Sequence, residues 1–482
     1  MGSFQGYLVL LRRLVGVLLV ALTGSLLSAC GSTTPLESQQ AGKTISYVPG
    51  LPNFDMELVP SVREGRSGVD LNVGILYRSL IYVRRGDVYR SDLELTAQIF
   101  DGTGEYIVET VDWTDSLVVS DHEQTQSFEL FRLRRRIDLP SGEYLCRVVL
   151  RDVNSNKQVA RFQRLSVPEF DQEKPLFGHL FVERVREGVY EPVVSLHVPS
   201  NPDTLRAVTE LYNADPYDEI EVQLAVVRFH TDGEVADPPF WITPYAGSLE
   251  YEGVDYNERD TVSSSRYTLE SLSDQVQLKF RLPELERGVY RVDLTANLRQ
   301  VRSAADSVVL TRQRELSVKG ADFPTVTELD EVIEALTYIA RNRELSQIRE
   351  TEDPVEKRRL FDAFWGELVG QREEAKRLLR TYYSRVEEAN LFFTSHKEGW
   401  KTDRGMVYIV MGAPLYVERY FDAEIWYYSY RENADDRFVF ERASRYSPDE
   451  GVRFNNYLLL RRPYYERTWR RAIRRWREGE VL

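Results

Sequence analysis

The feature that most constrains the fold is a change of hydrophobic period near Phe323-Pro324. Before it, apolar residues recur at every second position. Leu93, Leu95, Ala97 and Ile99 alternate with Glu94, Thr96 and Gln98, and the run stops at Asp101-Gly102. This pattern belongs to strands with one buried face, and glycine-containing turns between them point to antiparallel hairpins. Leu139 to Leu150 repeats the style after Pro140-Ser141-Gly142. A second copy then follows. Val222, Leu224 and Val226 lead into Asp232-Gly233 as Leu93 leads into Gly102. Leu285-Glu286-Arg287-Gly288-Val289-Tyr290 parallels Leu139-Pro140-Ser141-Gly142-Glu143-Tyr144, and Leu316-Ser317-Val318 parallels Leu165-Ser166-Val167. The spacing between matched segments lengthens along the chain, which places extra residues in the second copy, in the Pro- and Tyr-rich stretch 237–257.

About seven short antiparallel strands per copy is the pattern of an immunoglobulin- or fibronectin-like β-sandwich. Two tandem sandwiches are therefore expected, at 51–170 and 171–322. In the Leu-x-x-Gly-x-Tyr element the glycine takes the turn, and the tyrosine hydroxyl should find a nearby backbone partner. Beyond Pro324 the period becomes 3.6. Leu329, Val332, Ile333, Leu336, Ile339 and Ala340 form one stripe, and Leu360, Phe361, Phe364, Trp365 and Leu368 form another. Asp353-Pro354 with Glu356 is a helix start. A third helix is expected from 373 to 393, with Ala375, Leu378, Tyr382, Val386, Ala389 and Phe393 on one face. Period two returns at Val407-Tyr408-Ile409-Val410, Ile425 to Tyr428, Phe438 to Phe440 and Tyr457 to Leu460, which read as strands. The tail, 464–478, reads as a helix. Residues 323–482 thus predict helices followed by a small antiparallel sheet, making the whole chain mainly β with an α+β C-terminus.

The first 29 residues have the parts of an export signal: Arg12 and Arg13, the apolar run Leu14 to Leu22, and Leu27-Ser28-Ala29 before Cys30. The apolar run is too short for a spanning helix. Leu27-Ser28-Ala29-Cys30 resembles the bacterial lipobox, which implies lipidation of Cys30; an ordinary signal followed by a free cysteine is the alternative. Residues 30–50, small and polar, read as a flexible tether. The chain has two cysteines, so a lipidated Cys30 leaves Cys146 as a buried structural thiol, and no disulfide framework is possible. With 42% hydrophobic and 29% charged residues, 482 residues suffice for about three globular domains. The net charge of −14 lies mostly before residue 325, and this argues against nucleic acid as a partner. The expected location is the envelope, lipid-anchored, on the periplasmic face of the outer membrane.

Gly399-Trp400-Lys401-Thr402-Asp403 resembles the signature of the GWxTD domain, a family of exported bacterial proteins. Further matching residues are Phe364-Trp365, Tyr382 to Asn390 with Arg385 and Ala389, Asp403-Arg404-Gly405, Tyr408-Ile409, Gly412-x-Pro414 and Trp426-x-Tyr428. The resemblance covers about 350–460. One departure stands out: the Phe-Trp pair is followed by Gly366-Glu367-Leu368-Val369 where family members commonly carry an Arg-Asp-Pro loop. The family has no established activity, so the resemblance implies architecture and leaves function open. In a structural reading Thr402 and Asp403 fix a turn between helix and strand. Trp400 packs on the adjoining helix, and Arg404 pairs with Asp403 or with an acid of the third helix. In a functional reading Asp403 is a base or ligand and Arg404 an anion clamp.

The five histidines lack metal-ligand spacing, and no cofactor is expected. Only His396 lies near the motif; with Glu398 and Asp403 it forms a candidate acid–base set, against a solvated loop histidine. Trp365, Trp400, Trp426, Trp469 and Trp476 crowd the last third of the chain, as core or as a surface that stacks on sugars or anchors a partner protein. Arginines cluster between Arg461 and Arg477, either neutralising the protein's own acids or meeting an anionic partner. These features favour a non-catalytic interaction or scaffold protein of the envelope with a protein or glycan partner. The alternatives are an envelope hydrolase or lyase and a carbohydrate-binding lipoprotein. Gly412-x-Pro414 with Trp426-x-Tyr428 also resembles small lipoproteins of the outer-membrane β-barrel assembly machinery, which leans towards protein partners.

Overall fold

The computed structural model describes residues 43–44 and 51–481, apart from 64–65, 171–173, 187, 201–203, 216, 218, 243–252, 271–274, 301–302, 421–422, 430–435, 444–453 and 455. The export signal, Cys30 and most of the tether lie outside the described residues.

In the first sandwich Phe54–Arg63, Arg66–Leu76 and Leu130–Asp138 form one sheet. Val83–Arg85, Val88–Asp101, Ile107–Val119, Gly142–Asp152 and Lys157–Val167 form the other. The alternating residues meet between them: Val69, Leu71, Val73 and Ile75 face a core that includes Leu93, Leu95, Ala97, Ile99 and the buried free thiol of Cys146. The second sandwich pairs Leu176–Phe177, Phe181–Arg186, Val189–Pro192, Thr204–Tyr212 and Gln275–Arg281 in one sheet. His197–Pro199, Glu219–Thr231, Val254–Glu270, Gly288–Gln300 and Ser303–Lys319 make its other sheet.

The duplication extends to local geometry. Tyr144 and Tyr290 each donate a hydroxyl hydrogen bond to the carbonyl four residues back, Pro140 O at 3.1 Å and Glu286 O at 3.0 Å. The preceding glycines, Gly142 and Gly288, take matching φ of +156° and +158°. The copies differ where one hairpin closes. Val88–Asp101 joins Ile107–Val119 through a short turn, whereas Thr231 and Val254 are separated by the extra chain. Its described part, 232–242, leaves the sandwich and lies on the C-terminal domain, where Val235, Ala236 and Phe240 pack against the core. Between the sandwiches the buried Glu57 pairs with Arg314, and His179 Nε2 lies 3.1 Å from it. Burial alone would raise the Glu57 carboxyl pKa, but Arg314 and His179 hold it below the usual glutamate range.

The C-terminal domain contains helices α1 Leu329–Ala335, α2 Asn342–Arg349, α3 Pro354–Val369, α4 Arg372–Phe393, α5 Asp403–Met411 and α6 Tyr465–Arg477. Asp353 caps α3 by accepting from the N–H groups of Val355 and Glu356, with Pro354 in the first turn. The sheet contains Tyr416–Arg419, Ala423–Tyr427, Arg437–Arg442 and Tyr457–Leu459 in antiparallel order.

Two expectations are corrected. Val407 to Val410 is not a strand; it is the body of α5. Residues 403–410 are buried on every side, so the run has no polar face to reveal a 3.6 period, and a short apolar run cannot be told from a strand by pattern alone. The tether, read as flexible throughout, contains a pair of residues that add a strand to the C-terminal sheet, Lys43 opposite Glu418 and Thr44 opposite Val417.

Candidate functional site

The signature sits where α4, a short 3-10 turn (Gly399–Lys401) and α5 come together. Gly399 lies directly on the backbone of α4: a Cβ there would stand 1.9 Å from Ala389 O and 2.8 Å from Asn390 Cα. Gly405, in the first turn of α5, lies on Gly399 in turn, and a Cβ on it would stand 1.8 Å from Gly399 O. Real side chains do not approach that closely, so three backbone layers can stack only through glycine. Ala389 supplies the small residue beneath.

Each side chain of the motif is spent on holding this stack. Asn390 accepts the Trp400 N–H (3.2 Å) and donates to Pro324 O (2.8 Å). Thr394 Oγ1 accepts the Gly399 N–H (2.8 Å). The indole of Trp400 is fully buried, and the Trp400 carbonyl accepts from the Tyr338 hydroxyl (2.7 Å). Thr402 caps α5: its hydroxyl donates to Gly399 O (2.7 Å) and accepts the Gly405 N–H (3.1 Å). Asp403 is buried and reaches the sheet, accepting the Leu459 N–H (2.6 Å) and two guanidinium bonds from Arg461 (2.7 and 3.3 Å).

Arg404 reaches an acid that was not among its expected partners. Its guanidinium lies 3.6 Å from Glu424 and is sandwiched by the rings of Tyr457 (4.3 Å) and Phe393 (5.4 Å). Glu424 also accepts the indole N–H of Trp426 at 3.0 Å. Gly412 ends α5 at φ +84°, where a Cβ would meet the guanidinium of Arg385, and its carbonyl accepts from the Tyr428 hydroxyl (2.8 Å). Pro414, buried, follows this turn.

Asp403 turns to Arg461, whereas His396 and Glu398 both interact with Lys319. His396 is buried rather than solvated, its Nε2 3.9 Å from Asp232, and its carbonyl accepts from Lys319 Nζ (2.8 Å). Burial lowers the His396 pKa and pushes the Lys319 ammonium down to about 8, against the pull of Glu398. The Glu398 carboxyl, raised by burial, is brought below its usual range by Lys319. Asp232 lies well below the usual carboxylate range: burial would raise it, and His396 and Lys397 more than offset that. Lys397 Nζ donates to Asp232 Oδ2 (2.6 Å) and Glu234 O (2.7 Å), and Ala236 N–H donates to Lys401 O (3.0 Å). These bonds clasp the 232–242 segment onto the motif. Among the described residues, no group of three His, Cys, Asp or Glu is placed to hold a metal ion.

The surface reading of the tryptophans is corrected: Trp365, Trp400, Trp426, Trp469 and Trp476 are all at most 3% exposed, so none presents a face to a sugar. Sequence reasoning missed Lys319, Asp232 and Arg461 as members of this cluster. They lie 58 or more positions from their partners, apart from anything periodicity can signal. Glu424 was missed as well: the observed strand, Ala423–Tyr427, begins two residues before the expected one at Ile425.

Comparison with known proteins bears on the same region. Residues 303–478 match the family model of the GWxTD domain. The match begins in the last strand of the second sandwich, Ser303–Lys319. No curated protein matches the sequence. Among solved structures, the crystal structure of red sea bream transglutaminase aligns at 11% identity over 55% of this chain and 31% of that one, with a TM-score of 0.16. The chain thus spans under a third of that protein, and a likeness so slight supports no argument. Residues 303–478 of this chain, which include the glycine stack, thus match the GWxTD domain.

Proposed function

We propose that this protein is an exported, lipid-anchored envelope protein whose GWxTD domain works as a non-catalytic interaction module, carried together with two β-sandwiches. The observation that supports this reading is the commitment of the signature. Gly399, Trp400, Thr402, Asp403, Arg404 and Gly405 are all buried, and each has its contacts within the fold. A catalytic group needs access to a substrate atom within hydrogen-bond reach, whereas Asp403 has both oxygens occupied by Leu459 and Arg461.

The test is photo-crosslinking from exposed positions of the GWxTD domain in intact envelopes, combined with assays of the purified chain against envelope polymers. A defined partner crosslinked from neighbouring positions, without turnover of any polymer, supports the module. A turnover activity abolished in Asp403→Asn, at an unchanged melting temperature, would overturn it.

A further inference from the structure

Helix α6 has two unlike faces. Tyr465, Trp469 and Trp476 are buried in the domain core, with Trp476 donating its indole N–H to Val410 O at 3.0 Å. The other side is arginine. Arg467, Arg470, Arg471, Arg474 and Arg475 are exposed, in a chain whose net charge is −14.

Neutralisation of the protein's own acids accounts for part of the cluster only. Arg461 pairs with Asp403 and Arg477 with Glu344, both at the edges of the core. Arg470 and Arg471 touch Glu466 and Asp436, yet their side chains remain 66% and 61% exposed. Arg467 and Arg474 have no acidic partner among the described residues. An amphipathic helix with aromatic residues seated on one side and exposed arginines on the other presents a cationic surface. Tyr464, 44% exposed, stands at its start, where an aromatic ring with a polar tip suits an interfacial position.

A second observation places this surface within reach of the anchor. Lys43 and Thr44 form the edge strand of the same domain's sheet, and α6 stacks Tyr465 on Phe438, three strands further in. Strands are about 4.8 Å apart, so this is a lateral offset of about 14 Å. Thirteen positions separate Lys43 from Cys30, which at most about 3.6 Å per residue can span about 47 Å. On the lipid-anchor reading, the edge strand of the C-terminal domain is therefore tied within about 47 Å of the bilayer, and the two sandwiches do not set its distance.

We propose that the arginine face of α6 is a docking surface for an anionic phospholipid membrane, with the acidic sandwiches turned away from it. This rests on lipidation of Cys30 for its cellular meaning, but the surface itself is testable without the lipid. The chain from Gly31 onward, which retains every described residue, is sedimented with phosphatidylcholine vesicles containing 30 mol% phosphatidylglycerol at low salt. Binding is expected, weakening as salt rises, and absent with phosphatidylcholine alone.

Replacing Arg467, Arg471, Arg474 and Arg475 by Gln should lower partitioning at least about 100-fold, since each basic residue near such a surface contributes about a fivefold factor. The same charge change at Arg358, Arg359, Arg372 and Arg380, exposed on α3 and α4, should leave most of the binding intact. Circular dichroism checks that both variants fold. Absence of wild-type binding, equal losses in the two variants, or binding to polyglutamate but not to vesicles would each overturn the proposal, the last in favour of an acidic protein partner. The mass of the N-terminal peptide from exported protein reports lipidation separately, so failure of the anchor reading is distinguishable from failure of the docking surface.

Discussion

At the scale of single residues, the signature is a packing device. Gly399 and Gly405 are fixed by two backbone contacts that no side chain can share. Gly405→Ala is expected to destabilise the domain by about 3 kcal/mol or more, or to prevent its folding, because the obstructing atom is backbone and cannot swing aside. Gly366, inside α3, has open space where a Cβ would stand. Gly366→Ala should therefore raise stability by about 0.5–1 kcal/mol. Urea unfolding of the two variants checks both signs, and equal effects would refute the stacking account. The pentapeptide was legible as a unit, yet its meaning was not: a glycine's requirement for close approach exists only once α4 and α5 are placed in space.

Among elements, the sandwiches were legible because half-buried strands record their two environments in alternation, as Leu93 to Ile99 do. Helix α5 was not, because it is enclosed on all sides and its residues record only one environment. What marked its start was Thr402, a polar residue whose capping role had been read as a turn before a strand. Thr402→Val should cost about 1–2 kcal/mol by leaving the Gly405 N–H without its acceptor, while Thr402→Ser retains most of it. Thermal melts of the two variants make the comparison, and an indifferent Val variant would remove the cap from the account. The strand Tyr416–Arg419 was missed for a related reason: at four residues it is too short for a period to show.

For the whole molecule, the seam between the second sandwich and the GWxTD domain is lined with groups that resist protonation. His197, at the edge of the sandwich, packs near Phe323 and Phe454. Burial, helped by Lys319, pushes its pKa down to about 3. Between pH 6.5 and about 3 the unfolded chain therefore binds a proton that the folded chain refuses, and stability falls as pH falls. His396, also lowered by burial, acts in the same direction. Lys319, lowered to about 8, does so between about pH 10.5 and 8. The melting temperature should drop on acidification from pH 7.5 to 5, and His197→Gln should flatten that slope; an unchanged slope would place the sensitivity elsewhere.

That seam also determines where the chain can be cut. The family match starts at residue 303, inside a strand that is hydrogen-bonded along its length to Gly288–Gln300, and the sequence pattern had placed the border at 323. Neither cut spares the segment 232–242, which reaches the signature from a hairpin of the preceding sandwich. A fragment beginning at 323 would expose the apolar seat of Val235, Ala236 and Phe240 and strand Lys397 without Asp232. Fragments 171–482 and 323–482 should then behave differently, the first melting cooperatively and the second aggregating on expression. The domain that bears the signature is in this sense no portable cassette: its last wall is built by its neighbour, and any transplant of it must bring that neighbour along.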